Sequence, residues 1–247
     1  GDAQIRALGP LAPFTQTATT QRPIMLSTMN ITSDTPAGDI TNITVSGLSL
    51  FTSNQSAALE CFSPQSFGQR QRVIGLSMSN NQTVVVQGNL TAGGNVAMAV
   101  AVDPIAQSAV KQPADQSSGY NFIFGLGSVV VPAIAGVVPG TAQLVAVAVR
   151  DCTLGELILA SHTAAIATAG TDIIISSINV AGLEQLCGAT ATQNIPLQAF
   201  QNTASDANSG LRLSYPVLSN ARVVITLLNF NAGAITVAGG IFCEPWK

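Results

Sequence analysis

The chain contains one sequence pattern twice. Residues 79–94, "SNNQTVVVQGNLTAGG", align without a gap to residues 219–234, "SNARVVITLLNFNAGA". The identical pairs are Ser79/Ser219, Asn80/Asn220, Val84/Val224, Asn89/Asn229, Ala92/Ala232 and Gly93/Gly233. A pattern that recurs in this way predicts two copies of one structural unit.

Other segments recur in the same order. "DITNITVSGL" (39–48) resembles "DIIISSINVAGL" (172–183), and "QRVIGLSMSNN" (71–81) lies in the first copy where "GLRLSYPVLSNA" (210–221) lies in the second. "AVDP" (101–104) and "FCEP" (242–245) end the two copies. These matches favour a tandem duplication in which Val84 and Val224 occupy equivalent strand positions and face the same way.

Strand signals dominate both copies. Short runs rich in β-branched residues alternate with turn-forming segments such as "TAGGN" and "VVPGT". The runs are 39–51, 83–90, 95–102, 142–149, 172–180, 221–230 and 234–242. No window has the 3.6-residue apolar period of an amphipathic helix, and "SNQSAALECF" and "AGLEQLC" are candidates only for short helices. The fold class predicted is therefore all-β.

Composition shifts divide the chain into four parts. Residues 1–21 are predicted to be an extended N-terminal arm, and the polar segment 106–119, with Pro113, a linker. Residues 22–105 and 120–247 then form two tandem β-sandwiches of seven or eight short strands each, which suits a jelly roll. "NLTAGGNV" and "NFNAGAIT" are expected to be hairpins that join the last two strands of each sandwich, with Gly93 and Gly233 in turns that need a positive φ.

The chain carries very little charge. Charged residues make up 9%, whereas about 25% is usual for a soluble domain. Because burying a charge costs far more than burying a hydrogen-bonded amide or hydroxyl, this surface is suited to being covered by neighbours or to a place outside the cytosol. The alternative explanation of the low charge is compositional drift in an ordinary secreted β protein. The net charge is −3, and the nine basic residues are scattered, so direct nucleic-acid binding is not expected.

A long uncharged stretch, from Gln116 to Val149, is interrupted by Pro132, Pro139 and five glycines. Pro and Gly at this density favour strands and turns over a membrane-spanning helix.

Catalytic residues are not evident. His162, the only histidine, lies in "LASHTAAIA" with no acid nearby in sequence, which favours a structural role. The acids are dispersed, and no nucleophile elbow, dinucleotide fingerprint or phosphate loop occurs. Asp39 and Asp172, at matched positions, are interpreted as turn-capping residues and not as calcium ligands, which need several oxygens close together. The sequence therefore predicts no enzymatic activity and no catalytic, cofactor-binding or metal-binding residue.

The cysteines and sequons also have structural interpretations. Cys61, Cys152, Cys187 and Cys243 lack the spacing of a zinc site and are expected to be buried thiols, although a disulfide stays open. Five N-x-S/T sequons all fall in the first copy. They are potential glycan sites if the chain is made in a eukaryotic secretory pathway, whereas the alternative is that a chain rich in Asn, Ser and Thr produces such matches by composition. The five sequons are Asn30, Asn42, Asn54, Asn81 and Asn89.

Two tandem sandwiches, an extended arm, scarce charge and no catalytic residues resemble the double jelly-roll major capsid proteins of tailless icosahedral viruses, which commonly enclose a membrane. The resemblance is architectural and covers roughly Arg22 to Pro245. It implies a structural coat protein in the virion that assembles as homotrimers of pseudo-hexagonal outline into an icosahedral shell. The partners it implies are neighbouring copies of the chain, other capsid proteins such as a penton, and an internal membrane. No cofactor or site residue is carried over.

Two other classes share some of these features. A secreted or surface β-sandwich adhesin or filament subunit shares the low charge and the abundance of Thr and Asn. A carbohydrate-active enzyme would need two carboxylates flanking a groove, with aromatic rings for sugar stacking. Beside the phenylalanines, only Trp246, Tyr120 and Tyr215 are available for stacking.

Overall fold

The protein is all-β. The computed structural model describes residues 3–7, 12–33, 38–62, 76–90, 94–110, 122–162, 173–186, 195–197, 200 and 211–244. Within these residues there are strands and short 3-10 turns but no α-helix. The strands of the first half are β1 (Ala3–Ala7), β2 (Ala12–Thr19), β3 (Ile24–Ser33), β4 (Gly38–Val45), β5 (Leu48–Ser49), β6 (Ala57–Ala58), β7 (Leu76–Met78), β8 (Thr83–Leu90) and β9 (Gly94–Pro104). Those of the second half are β10 (Phe122–Val131), β11 (Gly140–Val147), β12 (Cys152–Ser161), β13 (Ile173–Val180), β14 (Leu183–Glu184), β15 (Ile195–Pro196), β16 (Leu211–Val217), β17 (Arg222–Asn229) and β18 (Ile235–Glu244).

Each half is a sandwich of two antiparallel sheets. The first half has a β1 sheet, ordered β1-β9-β3-β7, and a β2 sheet, ordered β2-β8-β4-β5, with β6 also on β4. The second half has a β10 sheet, ordered β10-β18-β12-β16, and a β11 sheet, ordered β11-β17-β13-β14, with β15 also on β13. Adding nine to each strand number of the first half reproduces the order in the second half, so the two halves have the same strand pairing.

Irregularities in the ladders also recur. β3 has one extra residue between Leu26 and Thr28 against β9, and β12 has one between Leu154 and Glu156 against β18. In the other sheets, the register shifts at 40/42 in β4 and at 175/177 in β13. A β-bulge is a specific local feature that bends a strand. Four shifts at corresponding places therefore extend the likeness of the halves beyond strand order.

The β4–β5 and β13–β14 turns have the same backbone. Ser46 and Gly47 have φ of 52° and 84°, and Ala181 and Gly182 have φ of 52° and 89°. Two consecutive positive φ values are those of a type I′ hairpin turn, which favours glycine at its second position. The recurring "V-x-G-L" of the sequence is therefore the signature of this turn.

The ungapped alignment of residues 79–94 with 219–234 is one residue away from the correspondence that the structure shows. The prediction that Val84 and Val224 occupy equivalent strand positions and face the same way is therefore wrong. Val84 is buried at 4% exposure, whereas Val224 is only half-buried and its neighbour Val223 is fully buried. The preceding turns agree, since Asn81 and Asn220 are the residues with positive φ, at 62° and 68°. Consecutive valines fit either alignment, but a shift of one residue in a strand reverses the face of every side chain.

The predicted N-terminal arm also needs correction. Residues 3–7 and 12–19 are strands of the first sandwich, in which β1 pairs with β9 and β2 pairs with β8. The segment "APFTQTAT" lacks an apolar strand pattern because β2 is an edge strand: Phe14 is buried, while Pro13 and several Thr side chains are exposed. Of the predicted linker, 107–109 form a 3-10 turn, and 111–119 lie outside the described residues.

The expected hairpins at the end of each half are wrong too. β8 and β9 lie in different sheets, and so do β17 and β18, so each connection crosses from one sheet to the other. Gly233 has no positive φ, and Gly93 lies outside the described residues. "SNQSAALECF" contains β6 and a 3-10 turn, and "AGLEQLC" begins with the turn into β14.

Candidate functional surface: the junction between the sandwiches

A segment of the first sandwich crosses to the second. Residues 49–56, here called the bridging segment, connect β5 to β6 and hydrogen-bond to β10. Ile123 N donates to Leu50 O at 2.9 Å, and Thr52 N donates to Ile123 O at 2.8 Å. Further along β10, Gly127 N donates to Ser56 O at 2.7 Å. The bridging segment therefore covers the outer edge of the β10 sheet, which would otherwise present unpaired backbone groups.

The same segment also covers the edge of the β11 sheet. Asn54 N donates to Val147 O at 3.1 Å, and Val147 N donates to the Asn54 side-chain oxygen at 2.9 Å. Val149 N donates to Thr52 O at 2.7 Å. One segment thus closes the same side of both sheets of the second sandwich.

Arg150, which belongs to the second sandwich, binds the bridging segment. Its Nη2 donates to Ser49 O at 3.0 Å and to Phe51 O at 3.2 Å. Burial lowers the pKa of Arg150 from its usual value. An arginine remains charged in proteins, so these are charge-assisted hydrogen bonds to main-chain carbonyls.

Glycines allow the two halves to approach closely. A Cβ on Gly125 of β10 would lie 2.2 Å from Gln55 O and 2.3 Å from Ser56 O. A Cβ on Gly240 of β18 would lie 3.0 Å from the Cys61 Sγ. Substituting larger residues at either position would push the sandwiches apart.

Apolar side chains fill the space beside the bridging segment. The rings of Phe62 and Phe242 meet edge to face, with centroids 6.3 Å apart. Residues 237–243 of β18 are all buried, without the alternation of a strand that has one face in water. The β10 sheet therefore packs on its own sandwich with one face and on the first half with the other.

A polar cluster lies at the same junction. His162 Nε2 is 3.2 Å from Glu60 Oε2, and the His162 side chain is only 2% exposed. Burial lowers the pKa of His162, but the hydrogen bond to Glu60 and the charges of Glu60 and Asp39 outweigh it, so the pKa is raised. Burial raises the pKa of Asp39. His162 has no acid nearby in sequence, but the fold brings Glu60 and Asp39 to it from the other sandwich.

The cysteines belong to the packing of this region. Cys61, Cys152 and Cys243 are buried thiols, as the sequence predicts, and Cys187 lies outside the described residues. The Cys243 Sγ is 3.7 Å from the Thr52 hydroxyl of the bridging segment. A hydrogen bond with Cys243 is the main cause that lowers the pKa of Cys152.

The other residues singled out in the sequence are not brought together in one site, as far as the described residues include them. Asp39 lies in β4, and Asp172 is outside the described residues. Among the sequons, Asn54 is engaged in the junction, and the Asn42 Oδ1 accepts from the Ser49 hydroxyl at 3.1 Å. Within the described part of the chain, no three His, Cys, Asp or Glu side chains are grouped so that they could hold a metal ion. No helix of that part is long and apolar enough to cross a membrane.

No protein-family model matches this chain, and no curated protein matches it either.

The junction was not predicted from the sequence. Its residues come from a turn, a short connection and the end of a strand, which lie far apart along the chain. The only sequence signals for it are glycines within strands, as in "FGLG" (124–127) and "AGG" (238–240), which often mark a close approach of another backbone.

Proposed function

We propose that this protein is a structural coat protein that assembles into a closed icosahedral shell. Each half has nine described strands, in one four-stranded and one five-stranded sheet, an arrangement suited to a jelly roll, and the second half repeats the pairing order of the first. We interpret the chain as two jelly rolls that arose by tandem duplication. This repetition, combined with the covered edge between the halves, is the observation that carries the proposal.

The proposed assembly unit is a homotrimer with a pseudo-hexagonal outline. Two similar sandwiches side by side give one subunit two near-equivalent parts, and three subunits give six. Hexagonal units tile a shell with small local adjustments. Threefold closure needs one heterologous interface per subunit. The scarcity of charged residues supports extensive contact, because interface cores are depleted in charge.

In this proposal the protein acts in the virion by assembly and has no enzymatic role. Its contacts are with other copies of itself, with other capsid proteins such as a penton at the vertices, and with an internal membrane where one exists. With nine scattered basic residues and a net charge of −3, direct contact with nucleic acid is not part of it.

The test is the state of the full chain after purification. Native mass measurement and sedimentation over a range of protein and salt concentrations should give a species of three times the 25.2 kDa chain mass. Negative-stain microscopy should show hexagonal particles or closed shells. A stable monomer under all conditions, or linear fibres, would overturn the proposal and favour the secreted adhesin or filament subunit.

A further inference from the structure

One end of the second sandwich carries a group of exposed apolar side chains, here called the apolar tip. It consists of residues 130–139, from the end of β10 to the start of β11, and residues 230–234, between β17 and β18. Val137 is 93% exposed and Val138 63%, and Val130 and Phe230 are exposed as well. Single exposed apolar residues are normal on a soluble protein, whereas a group of them at one place marks a contact site.

The outermost part of the apolar tip is a two-residue hairpin turn. Ala135 N donates to Val138 O at 2.9 Å, and Val138 N donates to Ala135 O at 3.1 Å. Gly136 and Val137 are therefore the two central residues, and of these only Gly136 has a positive φ, at 63°. Glycine with positive φ at the first central position is the signature of a type II′ turn. The turn is thus a defined structure that presents Val137 at its end.

Asn229 supports the base of the apolar tip from inside the protein. The residue is fully buried, and its Oδ1 accepts from Asn231 N at 2.8 Å. Ile134 N donates to Asn231 O at 2.9 Å and so joins the two connections. The Asn229 Nδ2 lies within hydrogen-bond distance of three main-chain oxygens, those of Val131 at 3.2 Å, Pro132 at 2.9 Å and Gly233 at 2.9 Å. These main-chain groups are therefore bonded within the protein and do not depend on water.

The apolar tip has no charged residue. Neither residues 116–149 nor residues 223–243 contain one. β11 and β17 lead from the tip to the other end of the sandwich, because Gly140 pairs with Asn229 and Val147 pairs with Arg222. The charged residues at that other end are Arg150, Asp151, Glu184 and Arg222. As far as it is described, the second sandwich therefore has one apolar end and one charged end.

The chemistry of the apolar tip favours a lipid surface over a second folded protein. A standard protein interface covers about 800 Å² and roughly 20–30 residues on each partner, whereas one hairpin turn beside a short connection offers only a few side chains. Insertion of these side chains among lipids needs no matching pocket. It does need the absence of charge and main-chain groups that are already hydrogen-bonded, because both are costly to leave unpaired in hydrocarbon. The apolar tip has both properties.

We propose that the apolar tip inserts Val137, Val138 and Phe230 into the surface of a lipid bilayer. This contact names the part of the chain that faces a membrane, and in that respect it rests on the proposed coat function. One tip offers little apolar surface, but many copies in one shell bind together and raise the overall affinity without new contacts in each copy. Because the contact is apolar, it needs no anionic lipid and is not weakened by the salt that screens charges.

Flotation of the full chain with phosphatidylcholine vesicles tests this contact. The wild type should float with the vesicles at low and at high salt. Val137→Asp should lower the partition coefficient about tenfold or more, because a carboxylate resists transfer into lipid, with circular dichroism and the unfolding midpoint unchanged. Leu218→Asp is the matched control, since Leu218 is 60% exposed beside Asp151 at the charged end. It should bind like the wild type.

A tryptophan at the turn locates the contact directly. The native chain has one tryptophan, Trp246, so the wild type gives the background signal. Phosphatidylcholine with brominated acyl chains quenches tryptophan only at close range. It should quench Val137→Trp beyond the background and leave Leu218→Trp at the background level.

The outcomes separate the lipid contact from the proposed function. If the wild type assembles but does not bind vesicles, or if Val137→Asp binds equally well and position 137 is not quenched, the lipid contact is wrong and the coat function stands. If Val137→Asp impairs assembly and no form binds vesicles, the tip is a contact between copies and the lipid contact is again wrong.

The opposite results support the lipid contact. Binding that Val137→Asp removes and Leu218→Asp retains, together with quenching at position 137, supports it. If such binding occurs while the wild type stays monomeric under all conditions, the lipid contact stands and the coat function is wrong. If Val137→Asp loses its fold, the quenching of Val137→Trp decides.

Discussion

The guanidinium of Arg150 in the second sandwich donates to the main-chain carbonyl of Ser49 in the first, at 3.0 Å. The same Nη2 donates to Phe51 O at 3.2 Å. Arg150→Ala should lower the free energy of unfolding by about 1.5–3 kcal/mol, the range for hydrogen bonds to a charged group. Chemical denaturation measures this value. Arg222→Ala, at an exposed position, should stay within about 0.5 kcal/mol of the wild type, and equal effects of the two substitutions would contradict the role of Arg150.

Gly125→Ala should destabilise the junction because its Cβ would lie 2.2 Å from the main-chain oxygen of Gln55. Backbone cannot move aside as a flexible side chain does, and we expect a loss of about 1–3 kcal/mol of unfolding free energy. Gly233→Ala is the matched control, since nothing lies within 4 Å of its Cβ position and its φ is not positive. Thermal or denaturant unfolding of both variants gives the comparison, and a neutral Gly125→Ala would mean that the two halves are not in close contact there.

Stability should depend on pH through His162. Its pKa is raised in the folded protein above the ordinary value of 6.5. The stabilisation is therefore complete below pH 6.5 and is lost as the pH rises through the folded-state pKa. Burial raises the pKa of Asp39 above 3.8, so its contribution is also greatest at low pH and falls as the pH rises through its folded-state pKa.

Unfolding free energies measured from pH 5.5 to 8.5 would check this prediction. The wild type should lose stability across the upper part of that window, and His162→Gln should show a flatter profile. Glu60→Gln, which removes the charge facing the ring, should flatten it as well. A wild-type profile that rises with pH in this window would contradict the pairing of His162 with Glu60.

Val223 and Val224 test the alignment of the two halves. Val223 is fully buried and pairs with Val180 and Ala146, whereas Val224 is only half-buried. Val223→Ala should therefore cost about 1–2 kcal/mol through lost burial and a cavity, and Val224→Ala much less. Val84→Ala in the first half should resemble Val223→Ala. If Val224→Ala were the more costly change, the ungapped alignment would be right and the observed register wrong.

The sequence determined the all-β class and most strands of the sandwiches. Runs such as "TVVVQGNL" and "DIIISSINV" have the β-branched composition of strands, and "V-x-G-L" carries the type I′ turns after Val45 and Val180. These features are local, because backbone preferences and turn chemistry act over a few residues. The recurrence of the segments was visible for the same reason.

Tertiary structure decided the rest. β2 became a strand only because β8 offers a partner for a segment of Thr and Gln that has no apolar pattern of its own. Strand pairing decided which side of the sheet the side chains of Val84 and Val223 face, because a run of consecutive valines fits either register. Glu60 and His162, or Ser49 and Arg150, are about a hundred residues apart. These residues meet only because the two sandwiches pack against each other. The free energy of that packing comes from burial and from hydrogen bonds between segments that are distant in sequence, and the local sequence of one segment does not specify which other segment it contacts.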